Sequence, residues 1–246
     1  MLGRRLGEAM LVSGAAATEA ALTDAFEGRR VLHIASQGYF APAAACASVE
    51  VSQAKREELM RMRVDEIRSD PLFDPLRQSA LVVAGRNRRL QAGNSEEGSA
   101  DDGLITARDL ARLDLRAADL VVLSACETGL GENANADGPV GLGRALLVAG
   151  AGAVVASLWQ VPSIETAALF SAFYERVQSA ASAAPAKAVK ASKAAGRPNA
   201  SAALPSTAVV DAMRSARLAL IADLERRGVT RSAFLWGAFV PIAGRP

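Results

Sequence analysis

Six short, nearly continuous apolar stretches punctuate the chain: "AMLVSG" (Ala9–Gly14), "RVLHIAS" (Arg30–Ser36), "SALVVAG" (Ser79–Gly85), "DLVVLSA" (Asp119–Ala125), "GAVVASLW" (Gly152–Trp159) and "WGAFVPI" (Trp236–Ile242). Their length, their Val, Leu and Ile content and their flanking turn residues predict strands buried on both faces. Between them the apolar positions recur at helical spacing. Thr18–Phe26 opens on Thr18 as an N-cap, and Thr106–Leu113 follows Gly103. Gly138–Gly150 has Pro139 near its start and Gly150 past its end, the asymmetry of a helix. Ser163–Val177 begins with Ser163 but has Thr166 where a capping box places Glu or Gln. Thr207–Gly228 is long, amphipathic and ends in Gly. The alternation predicts an α/β fold: a doubly wound, mainly parallel sheet with helices on both faces.

The pattern fits one domain over residues 1–246 with two segments foreign to the core. Glu50–Asp70 is a charged helical pattern, read as a solvated surface helix or a partner-binding one. Ser179–Ser206 is low-complexity Ala, Ser and Pro, and holds Lys187, Lys190 and Lys193; Lys55 is the only other lysine. It reads as a flexible insertion in a surface loop, which a core tolerates at little cost in stability.

Composition narrows the function classes. Hydrophobic residues make up 50% of the chain and charged residues 22%, so it is globular. A net charge of +2 and 4% aromatics predict neither nucleic-acid nor membrane binding. The N-terminus lacks the apolar core of a signal peptide, and the longest apolar run, Ala145–Trp159, is too short to span a bilayer. The expectation is a cytoplasmic protein. One histidine and two distant cysteines, Cys46 and Cys126, make no metal-ligand spacing, and nothing calls for a cofactor. A phosphate-binding reading of the Gly-rich loop after Cys126 lacks the lysine that a P-loop needs.

Cys126 ends an apolar run and precedes "ETGLGENANADG", with Gly129, Gly131 and Gly138. In open α/β sheets the C-terminal strand edge binds ligands, so a nucleophile is displayed there. A small core residue is the alternative, and position alone leaves both open. His33, the only histidine, lies inside its strand, roughly 13 Å of extended chain before Gln37. That is too deep for a site at the strand end, and a buried structural role is expected.

"VLHIASQGYF", "DGLITARDLARLDLRAADLVVLSACETGLG", "GPVGLGRALLVAGAGAVVASLWQVPSIETAALFSAFYERV" and "FLWGAFVPIAG" together resemble the CHAT domain, a caspase-like family of cysteine peptidases related to separase. The resemblance runs from about Met10 to Gly244, outside the two insertions. It implies that Cys126 is at the nucleophile position. The family's general base ends the motif H-x-A-T-H-G, and this chain reads H-I-A-S-Q-G. His33 therefore matches the structural His, and Gln37 stands where the catalytic His belongs. The backbone N–H groups of Gly38 and Cys126 would form the oxyanion hole. Ser124 would line the first specificity pocket by analogy with caspases, and Asp137 would add negative charge nearby.

An unperturbed Cys is only about 3% thiolate at pH 7. A neighbouring His⁺ raises that fraction and then protonates the leaving amine. A Gln amide does neither, and losing general acid–base catalysis costs about 10²–10⁴-fold. The resemblance thus implies a peptidase-type cleft with a broken Cys–His dyad: a peptide-binding pseudopeptidase or a very weak cysteine endopeptidase. Two alternatives stay open, a non-catalytic scaffold and an active enzyme with a substitute base. CHAT domains often accompany tetratricopeptide repeats in bacterial regulated proteolysis or cell-death-like systems. No such repeats occur here, so a sensor in cis or trans is the implied partner besides the peptide itself. The chain also starts close to the family's first strand, which leads one to expect an exposed sheet edge there.

Overall fold

A computed structural model describes residues 9–26, 28–40, 74–87, 102–127, 137–159, 162–182 and 203–244. The strands are β1 (Val31–Phe40), β2 (Ser79–Val82), β3 (Leu104–Thr106), β4 (Leu120–Glu127), β5 (Ala153–Ser157) and β6 (Phe239–Ala243). They form one six-stranded sheet in the order β3-β2-β1-β4-β5-β6. The centre is parallel, β1 with β4 and β4 with β5. The flanks are antiparallel, with β2, β3 and β6 running against their neighbours.

The helices are α1 (Glu19–Phe26), α2 (Ala107–Ala111), α3 (Asp137–Val148), α4 (Ser163–Ser182), α5 (Ser206–Arg226) and α6 (Ala233–Trp236). Two apolar clusters separate them by face. Phe26 of α1, Leu110 of α2, and Leu142 and Leu146 of α3 pack on Leu32, Ile34, Val121 and Leu123. On the other face Phe170 and Phe173 of α4 and Met213 and Leu220 of α5 pack on Leu120, Val122 and Val155. Helices on both faces of a sheet with a parallel centre bear out the α/β expectation.

Strand β4 is buried on both faces over Leu120–Leu123, as near-continuous apolarity predicts. Strand β1 is not. Leu32 and Ile34 are buried, while His33, Ala35 and Gln37 on the alternate face are exposed. The base of the β1–β4 pair is tied by Arg30, whose Nε and Nη2 donate to Asp119 Oδ2 at 2.8 and 2.5 Å.

Four local expectations need correction. Ala9–Gly14 is not a strand: it joins no ladder, Met10 and Leu11 are 53% and 86% exposed, and Gly14 turns the chain at φ +60°. Apolar content without a paired neighbour does not make a strand. Strand β1 runs past Ser36 to Phe40, because Gln37–Phe40 gain β2 as an antiparallel partner. Thr106 ends strand β3 before capping α2, its hydroxyl accepting from Asp109 N–H in a reciprocal capping box. Trp236 closes α6, and β6 starts at Phe239.

The cap expected at the start of α1 is present. Thr18 Oγ1 accepts from Ala21 N–H at 3.3 Å, so it caps α1. At the start of α4, the Thr166 amide and hydroxyl both donate to Pro162 O. The insertion expected over Ser179–Ser206 is overdrawn at both ends: α4 continues through Ser179–Ser182, and Ser206 is the first residue of α5. The intervening residues 183–202, and all of Glu50–Asp70, lie outside the described residues. Among the described residues no helix is long and apolar enough to cross a membrane.

Candidate functional site

The site follows from strand register. In the parallel β1–β4 pair, His33 is level with Val122, Ala35 with Ser124, Gln37 with Cys126 and Gly38 with Glu127. Paired residues on neighbouring strands sit about 4.8 Å apart and on the same face of the sheet. Positions 37 and 126 are thus lateral neighbours, and the Gln at 37 brings an amide that cannot titrate. Ser124 is half-buried, one alternation before position 126 and level with exposed Ala35.

Gln37 and Gly38 are the β1 residues with sheet partners on both sides, Val82 and Leu81 on β2 and Cys126 and Glu127 on β4. Gly38 therefore lies within a strand, not in a free loop. For its N–H to serve an oxyanion, that rung would have to open. Asp137 is the first residue of α3. Residues 128–136, which join β4 to it, and Cys46 lie outside the described residues.

His33 is not the buried residue the sequence suggested. It is exposed, because α4 covers it only in part, through Tyr174 and Phe170. Its Nδ1 is 2.8 Å from the Tyr174 hydroxyl, and its ring centroid is 5.0 Å from that of Phe170. Crowding on that inner side desolvates the imidazole and lowers its pKa below the ordinary 6.5. Burial pushes the Tyr174 phenol up. The four-residue offset from Gln37 along β1 keeps His33 out of range of position 126, as expected from its place in the strand.

Two contributors were missed from sequence. Tyr174, partner of His33, sits on the apolar stripe of α4 beside Phe170 and Phe173, where helical period alone marks it as core. Ser36 donates through its Oγ to the Val82 carbonyl oxygen. Among the described residues no group of three or more His, Cys, Asp or Glu could hold a metal ion.

The sequence matches the CHAT domain family over residues 1–244. This chain belongs to the CHAT family. A CHAT domain is a caspase-like, peptidase-related fold, and the mixed sheet with helices on both faces agrees with it. Comparison with curated proteins gives no match.

Proposed function

We propose that this CHAT domain is a peptide-binding pseudopeptidase, or a very weak cysteine endopeptidase, whose dyad lacks its base. The observation that carries the reading is the lateral pairing of Gln37 with Cys126. In this reading Cys126 is the nucleophile position, and Gln37 occupies the position of the general base. Gln37 hydrogen-bonds a water or a peptide carbonyl but neither withdraws the thiol proton nor protonates a leaving amine. Gly38 and Cys126 supply oxyanion N–H groups once a peptide displaces the β1–β2 rung. Ser124 lines the first side-chain pocket, and Asp137 adds charge at its rim. The partner is a protein or peptide segment, presented in a signalling or cell-death-like system with a repeat-bearing sensor.

The test incubates the native chain, Gln37→His and Cys126→Ala with a diverse peptide mixture, reading new termini by mass spectrometry and retained peptides by pull-down. The expected result is retention without cutting by the native chain and cutting by Gln37→His alone. Cutting by the native chain that Cys126→Ala abolishes would show that another base serves the thiol. If no variant cuts and none retains peptide, the cleft reading fails and a scaffold role takes its place.

A further inference from the structure

We infer that Ser36 is a positioning residue: it holds the backbone of Gln37 in place beside Cys126. The inference rests on the reading of Gln37 and Cys126 as two halves of one site. Strand β1 changes partners here, pairing with β4 over Val31–Gly38 and with β2 only over Gln37–Phe40. The rung Gln37↔Val82 is the last of the β2 ladder. Beyond it the β2 chain leaves, with Val83 N donating to Gly103 O at 2.9 Å and Ala84 N to Ala17 O at 2.8 Å. A ladder end is where a sheet opens most readily. The Ser36 hydroxyl donates to the carbonyl oxygen of Val82, adding a side-chain tie where the main-chain ladder stops.

Strand alternation puts Ser36 on the face opposite Gln37, so it acts through the backbone and does not enter the site. It is half-buried, which shields its bond from competing water. Without the tie, the Gln37↔Val82 rung keeps its main-chain pairing but loses its side-chain reinforcement, and the end of β2 opens from β1 more readily.

The experiment uses the full chain with two readouts. In amide hydrogen exchange, Ser36→Ala should speed residues 36–38 and 82–83 by about tenfold, the scale of one hydrogen bond. Residues 121–123 should keep their rates, and Ser36→Thr should restore the native ones. No change, or uniform acceleration across the sheet, would overturn the inference. The second readout is the pH midpoint of iodoacetamide alkylation at Cys126, resolved from Cys46 by peptide mapping. Gln37→His should lower that midpoint by about one unit, because a nearby His⁺ favours the thiolate. Adding Ser36→Ala should reverse at least half of the shift, and adding Ser36→Thr should not. If Gln37→His shifts the midpoint and Ser36→Ala leaves it shifted, Ser36 does not position residue 37. If Gln37→His leaves the midpoint unmoved, the shared-site reading fails, and the exchange rates alone decide for or against the tie.

Discussion

Gln37 is level with Cys126 across the parallel β1–β4 pair, while His33, the only imidazole in the chain, is level with Val122 one alternation further back than Ser124. In the proposed reading, loss of the base is a change of side chain at a fixed address, not a displacement of the strand. Because Gln37 is exposed, Gln37→His should alter unfolding free energy by no more than about 0.5 kcal/mol. Urea titration of both proteins checks this. A larger loss would mean that Gln37 carries structural contacts, and any change in activity would then need separating from stability.

His33 predicts a pH dependence of stability. Its folded pKa lies below the unfolded value, so the unfolded chain binds the extra proton. Its contribution is present above the unfolded pKa of about 6.5 and is lost as pH falls through the lower folded value. His33→Gln should flatten the melting temperature between pH 7.5 and 5.5 relative to the native chain. With a single histidine, no other imidazole confuses the comparison. Equal slopes in the two proteins would rule His33 out as the source.

The tie at the base of the pair should be costly to break from one side. Asp119 is 2% exposed and accepts twice from Arg30. Arg30→Ala removes two hydrogen bonds from a buried carboxylate and should cost about 3 kcal/mol, tempered by the partial exposure of Arg30. Replacing both residues by an apolar pair should cost less than the single change. Chemical denaturation of the three variants reads the order, and an additive double variant would deny the coupling.

The second apolar cluster should respond as a packed core. Phe173 is 0% exposed, with Tyr174 and Phe170 edge-on at 5.3 and 6.0 Å. Phe173→Ala should cost about 3–5 kcal/mol. Leu11→Asp, at a site the sequence marked as strand interior, should cost less than about 0.5 kcal/mol. A large penalty at Leu11 would contradict its exposed placement.

What was legible in the sequence divides along physical lines. The centre of the sheet was readable because β4 and β5 are buried on both faces, and continuous apolarity is their signature. Helices α4 and α5 were readable because their buried residues follow the helical period. Strand β3 was not, since three residues carry no period and Thr106 also caps a helix. The Ala9–Gly14 stretch misled because apolar content does not report whether a partner strand is available. Cys126 and Gln37 were singled out through motif resemblance; that they are level across the β1–β4 pair was not readable from either residue's surroundings in the sequence. The exposure of His33 was hidden, because sequence does not show how far α4 reaches over β1.

One consequence follows from the way β1 ends. Four rungs join β1 to β2, from Phe40↔Ser79 to Gln37↔Val82. Phe40 and Ser79, which flank residues 41–78 in the sequence, form the first rung. A force drawing Phe40 and Ser79 apart loads the ladder as a zipper, not in shear. Its teeth would part in order from Phe40, and the tooth at Gln37 would be the last to go.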